Sequence, residues 1–263
     1  MMLKNEMIKL LHTKSVYAAI LIGIFSCICG LYSYYDTAYW AYTVGAFEEI
    51  SAYNAWMDCL SVGTSVYRGL LPLLIVPFLD SYFQEQKSGY QMLVLARTTR
   101  NRYFFTKWIV GVISAAGIAF LILMVTLAVC VVLFPLNQPL ASTTPLDPKF
   151  GLNMFLRHPM LWIFLMILSN MFYAAIYYTV GFGCTNFVSN RFLLMMIPFI
   201  LHIFQLMIWQ FLRLSCVSPL IFIAYYEAVG VTPLNMVAVG IVYILCAAAF
   251  LLCCWYLDRK TIR

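Results

Sequence analysis

Between Trp108 and Phe134 the chain runs for 27 residues without a charged side chain. At 1.5 Å per residue a helix of that length is about 40 Å long. The hydrocarbon core of a bilayer is about 30 Å thick, and about 20 apolar residues cross it. Five further runs have the same character. They are Ser15–Tyr35, Cys59–Leu79 with Arg68 as its single charge, Met160–Asn190, Phe192–Leu212 and Met236–Leu257. Gly181 and Gly183 mark a frayed end of the fourth, so its span is placed at about 160–188. None of these runs alternates in polarity, as strands of a membrane barrel do. The expectation is an all-α polytopic membrane protein with six transmembrane helices, forming one membrane domain.

Composition sets the class by the same reasoning. The chain is 64% hydrophobic and 10% charged, whereas soluble domains are near one half and one quarter. A water-soluble globule of 263 residues cannot hide that much apolar surface. A soluble enzyme, a nucleic-acid-binding protein and a disordered chain are therefore excluded. The net charge of +6 reads as a topology signal rather than a nucleic-acid footprint.

Basic residues set the orientation. With the N-terminus inside, the inner segments hold 12 of the 16 Lys and Arg residues, from Lys4, Lys9 and Lys14 through Lys87, Arg97–Lys107 and Arg191 to Arg259–Arg263. Six of the ten acids then fall outside: Asp36, Glu48, Glu49, Asp58, Asp147 and Glu227. Both termini are expected in the cytoplasm, which requires an even number of spans. The run Ser15–Tyr35 is of span length and lacks a small-residue cleavage site, so it reads as a retained first helix rather than a signal peptide.

The connections differ in character. In residues 1–14, Leu3, Met7, Leu10 and Leu11 share one helical face, with Lys4, Lys9 and His12 elsewhere; this predicts an interfacial amphipathic helix. The outer stretch Asp36–Asp58 is aromatic and acidic, and Pro135–Pro159 carries five prolines, which predicts an extended loop ordered by its contacts. Leu214–Tyr226 is uncharged but too short to span, which suits a re-entrant or interfacial outer hairpin before the last span. Seven of the nine cysteines lie in apolar runs and read as small hydrophobes. Only Cys59 and Cys216 lie near predicted outer loops, where a disulfide between them is one open alternative.

The segment 80–107 is the longest inner connection, and its composition is not one that lipid selects. Gln84–Lys87 extends the second helix into water, Gly89 breaks it, Tyr90–Ala96 is a short amphipathic helix, and Thr98 or Thr99 caps the next helix. Arg100, Arg102 and Lys107 lie at headgroup level. A short helix held just below the membrane between two long ones offers a docking surface.

At these residues the sequence resembles the permease subunits of type 2 ABC exporters, of the small six-span kind found in antimicrobial-peptide immunity and drug export. Their first cytoplasmic loop carries an acid, a glycine four positions on, a short apolar run, a Ser/Thr-Arg step and a lysine opening the third span. Here these correspond to Glu85, Gly89, Met92–Ala96, Thr99–Arg100 and Lys107. Where family members often carry a proline before that step, Arg97–Thr98 stands instead. The resemblance covers essentially the whole chain and implies a bacterial plasma membrane. It implies a non-catalytic subunit that pairs with a second permease chain, the same or different, and binds a cytoplasmic ATPase. Glu85, Gly89, Leu93, Arg100 and Lys107 would be the coupling residues. ATP and magnesium would belong to that partner; no cofactor is expected in this chain, which carries no phosphate-binding Gly-x-x-x-x-Gly-Lys-Ser/Thr loop. The cargo would be an amphipathic peptide, a drug or a lipid-like molecule.

Other residues compete with this reading. Arg68 lies 11 residues before Leu79, about 16 Å along a helix and near mid-membrane. It either lines a wet path, paired with Glu227, Asp58 or Glu49, or snorkels outward. His202 and Gln205 are three apart, hence on one helical face, where they line a translocation path or bond to a neighbouring helix. A stand-alone secondary transporter using Arg68 and His202 is the first alternative. An intramembrane enzyme is the second; Glu48–Glu49 resembles a protease pair, but Tyr53 stands where that motif needs arginine. The three histidines have no metal-ligand spacing.

Overall fold

In hydrocarbon every backbone N–H and C=O must find a partner inside the protein, and a helix supplies all of them within one segment. The computed structural model of the chain describes residues 6–9, 12–46, 50–60, 67–96, 98–139, 151–212 and 232–261. Among them it is mostly helical, with no strand. In chain order the helices are α1 (Lys14–Thr43), α2 (Ala52–Asp58), α3 (Tyr67–Leu74), α4 (Val76–Lys87), α5 (Tyr90–Leu95), α6 (Arg100–Leu133), α7 (Leu152–Arg157), α8 (Pro159–Gly183), α9 (Arg191–Phe211) and α10 (Pro233–Thr261). Five of them, α1, α6, α8, α9 and α10, are long and apolar enough to cross a membrane. Their outward faces carry Leu21, Phe25, Leu121, Val132, Phe164 and Leu245 in the open. Large apolar side chains exposed over five long helices mark a membrane-embedded protein.

The helices pack around α8, which lies against α6 on one side and α10 on another, while α9 lies against both α8 and α3. One buried apolar cluster runs through α1, α2, α3, α4, α6 and α8, and includes Trp56, Tyr67, Phe104, Ile122 and Tyr178. At one end of the bundle the Trp255 indole donates to Asn101, Asn186 donates to the Cys254 carbonyl, and Gln86 donates to Asn186. At the other end Asn137 donates to the Ile50 carbonyl, Ala52 N–H to the Pro135 carbonyl, and the Tyr34 hydroxyl to the Ser51 carbonyl. These bonds hold the start of the proline-rich stretch in place; of the expected extended loop, residues 140–150 lie outside the described residues and Leu152–Arg157 is the helix α7.

Several expected boundaries shift. The run 59–79 does not form one helix: Cys59 and Leu60 are a turn ending α2, residues 61–66 lie outside the described residues, and the remainder is divided between α3 and α4 at Ile75. Pro77 in the first turn of α4 is the physical reason for the break at Ile75, because it lacks an N–H and crowds the carbonyl four residues back, whereas Pro72 is accommodated inside α3. α1 continues past Tyr35 to Thr43, so part of the expected outer loop is helix. α6 begins at Arg100, eight residues before the apolar run, and α8 ends at Gly183 rather than 188. Residues 6–9 are helical; Leu3, Leu10, Leu11 and the expected hairpin at 214–226 lie outside the described residues, as do Glu48, Glu49, Glu227 and Cys216. Cys59 is a buried free thiol within hydrogen-bonding reach of Cys130.

Candidate functional site

Two polar loci interrupt the apolar bundle. The first is a charged node at the end where α4 stops and α6 starts. Glu85 lies in the last turn of α4, and Tyr103 and Lys107, four apart, project from one face of α6. Lys107 donates to Glu85 at 2.8 Å and 2.6 Å from its two carboxylate oxygens, and the Tyr103 hydroxyl donates at 2.8 Å. Lys9, from the helical stretch at 6–9, also donates to Glu85, and Lys107 reaches Glu6 of that same stretch. Lys9 sits 5.1 Å above the Tyr90 ring, which brings α5 into the assembly. The side chains of Glu85 and Lys107 are only 7% and 6% exposed.

Two acids and two bases cancel, so the node is neutral; Glu85, Lys107 and Glu6 are largely out of solvent, while Lys9 is 48% exposed. Burial alone would push the Glu85 carboxyl upward, but the Lys107 charge and the bonds from Lys107, Lys9 and Tyr103 outweigh it and hold its pKa below the ordinary value. For Lys9 burial pulls downward, and the bond and charge of Glu85 together with Glu6 carry the net shift upward.

The node fixes the geometry of the connection. Ser88 closes α4, and Gly89 turns the chain with φ +75° in open space, a left-handed conformation that other residues adopt only under strain. α5 follows, with Leu93 70% exposed at its surface. Thr99 stands at the N-cap of α6 without a side-chain cap bond, while Thr98 donates back to the Val94 carbonyl. Of the five expected coupling residues, Glu85 and Lys107 are therefore in direct contact, Gly89 forms the turn, Leu93 faces outward, and Arg100 lies half-buried on the first turn of α6. Beside the node Arg191 grips Asp80 through two bonds of 2.5 and 2.6 Å.

The second locus is neutral and lies between α8 and α9. His202 is fully buried, with Nδ1 hydrogen-bonded to the Tyr173 hydroxyl at 2.6 Å. Tyr173 and Tyr177 bond to each other, and Tyr177 donates to the Gln205 carbonyl. The result is a chain His202–Tyr173–Tyr177–Gln205 that joins one face of α9 to one face of α8. Arg68 belongs to α3, the helix that packs on α9; its side chain lies outside the described residues.

Glu6, Tyr103, Tyr173 and Tyr177 were not singled out by sequence reasoning. The available signal was spacing: Tyr103 and Lys107, like Tyr173 and Tyr177, are four apart and so share a face. Among the described residues no group of three or more His, Cys, Asp or Glu side chains gathers as a metal site would require. No family model matches the chain, and no similar curated protein or solved structure was found.

Proposed function

We propose that the chain is the membrane-spanning permease subunit of an ATP-driven exporter of the type 2 ABC kind, coupling to a separate cytoplasmic ATPase. In this reading the end carrying the charged node is cytoplasmic, and α3 with α4 completes six crossings. A second permease chain, the same or different, supplies the other half of the path, and ATP with magnesium is bound by the partner ATPase. The cargo is an amphipathic peptide, drug or lipid-like molecule. One observation carries the reading: α5 is a short helix with Leu93 at its surface, set between α4 and α6, and those two helices are tied to each other by a buried ion network whose Lys9 lies over the Tyr90 ring of α5. Docking on such a helix would be transmitted to two long elements at once. Glu85 and Lys107 then act as positioning residues, and Leu93 is the contact.

Mild-detergent purification of the chain from its native membranes, with mass spectrometry of what accompanies it, tests the reading. The expected result is a stoichiometric Walker-motif ATPase that is lost in Leu93→Asp, while insertion and unfolding of the variant remain unchanged. A chain that purifies without any ATPase in several detergents overturns it.

A second reading is favoured by one specific feature. A histidine buried among tyrosine hydroxyls between two long apolar helices is an arrangement that secondary transporters use for proton coupling. Transport by the reconstituted chain alone, driven by a pH gradient and abolished in His202→Phe, would favour this reading.

A further inference from the structure

Beside the neutral locus is a cavity of about 520 Å³, within the size range of small-molecule sites. It is walled by single faces of three helices. Leu201, Gln205 and Trp209 of α9 line it at four-residue spacing, and so do Ala238, Val242, Cys246 and Phe250 of α10. Tyr177 of α8 forms part of the inner wall. Ala238 and Phe250 are 12 positions apart, so the cavity is a slot about 18 Å long. At its foot Gly183 lets α8 meet α10 directly: a Cβ there would come within 2.7 Å of the Phe250 Cβ and 2.9 Å of its backbone. Along the open side Ala238, Val242 and Cys246 are exposed, so the slot opens sideways from the bundle at the depth of the apolar helices.

The lining contains no charged residue. Its polar groups gather near the middle: Tyr177, Gln205, and Tyr243 bonded to Trp209. Tyr177 donates to the Gln205 carbonyl and the Trp209 N–H donates to the Tyr243 oxygen, so the Gln205 amide N–H groups are among the donors the slot offers, with the Tyr243 hydroxyl beside them. A ligand that matches must bring an acceptor. It must also be neutral there, because an unpaired charge at that depth is costly. A second helix would cover a face; a long narrow concavity with a donor midway suits one chain.

We infer that this slot binds a neutral single-chain lipid, its alkyl tail lying along α10 and its ester or amide carbonyl accepting a hydrogen bond from the Gln205 side chain. The site belongs to one subunit and needs no ATPase, so it goes beyond the exporter reading and can fail separately from it.

The test uses the purified full chain in phosphatidylcholine nanodiscs with a monoacylglycerol carrying a photoreactive diazirine in its tail. Adducts are mapped by mass spectrometry. The expected result is saturable labelling confined to residues 236–251, competed by unlabelled monoacylglycerol and roughly three- to tenfold less well by an alkane of equal length. Ala238→Trp, which places a ring at an exposed position in the slot, should abolish the labelling. Gln205→Met should weaken monoacylglycerol binding by roughly three- to tenfold, the effect of one hydrogen bond, while competition by the alkane stays the same. Unfolding profiles of both variants check that each remains folded. Non-saturable labelling spread evenly over the outward faces of α1 and α6 would mean annular lipid and overturn the site. Unchanged affinity in Gln205→Met would overturn the hydrogen-bonded carbonyl. Cross-linking of Cys246 between two copies, with exclusion of the probe, would assign the slot to a subunit contact instead.

Discussion

The two polar loci solve the same problem in different chemical ways. The node around Glu85 gathers four charges at the bundle's end, each neutralised by a neighbour, and it ties together segments remote in sequence. The His202–Gln205 locus uses only neutral groups and joins two adjacent helices. A charge buried with a partner is balanced only while the partner stays, so removing one member leaves a severe penalty. A neutral hydrogen bond in the membrane is worth far less, because the unassembled helices also find partners. The node should therefore be a brittle joint and the neutral locus a tolerant one.

The sharpest way to break this comparison is Glu85→Gln. It keeps the shape and leaves Lys107 and Lys9 close together without their shared carboxylate. We expect a loss of about 3–5 kcal/mol, read from unfolding in mixed micelles. Glu85→Leu combined with Lys107→Met should recover most of that loss, since an apolar pair can replace a buried ion pair and the remaining Glu6 and Lys9 are of opposite sign. A double variant as unstable as the single one would show that the node holds the fold by more than balanced charge.

This joint was only partly legible in the sequence. Glu85 and Lys107 stood out singly, but residues 22 apart meet only because α4 and α6 return to the same end, which no local pattern states. The long helices were readable, because α6 and α9 follow uninterrupted apolar runs. The second run misled because its mean apolarity is that of a span, while the helix breaks at Ile75 just before Pro77. The end of α1 is hidden in the sequence because Asp36 reads as the edge of the membrane, although the aromatic residues after it continue the helix to Thr43. The slot between α8, α9 and α10 could not be read at all, since it is the space left by three packed faces.

Acid sharpens the comparison next. The folded-state pKa of Glu85 lies below its ordinary 4.5. Its stabilisation is therefore complete above that value and is lost as pH falls through the folded pKa. Lys9 has the opposite sign: its pKa is raised above 10.5, so its contribution is complete below that value and lost as pH rises through the folded one. Stability should form a plateau between the two limbs, and Glu85→Gln should lack the acid limb. The variant Tyr173→Phe should leave both limbs in place, because its locus carries no charge partner for either group. Its own cost should be about 0.6 kcal/mol and at most about 1.7, the range of hydrogen bonds between membrane helices. A loss as large as that of Glu85→Gln would end the distinction between brittle and tolerant loci.

The smallest effect separates burial from charge. Arg191 and Asp80 form a two-bonded ion pair of good geometry at the same end as the node, but the arginine side chain is 56% exposed. Water and salt screen such a pair, and exposed pairs contribute about 0–1 kcal/mol. Arg191→Ala should therefore lower stability by less than about 1 kcal/mol, and the difference should shrink further as salt is raised from about 0.01 to 1 M, where the screening length falls to about 3 Å. Glu85→Gln should keep most of its cost over the same titration, because mobile ions cannot enter a site so little exposed. If the two variants responded to salt alike, the node would be open to solvent, and a rigid tie between α4 and α6 on either side of α5 would lose its physical basis.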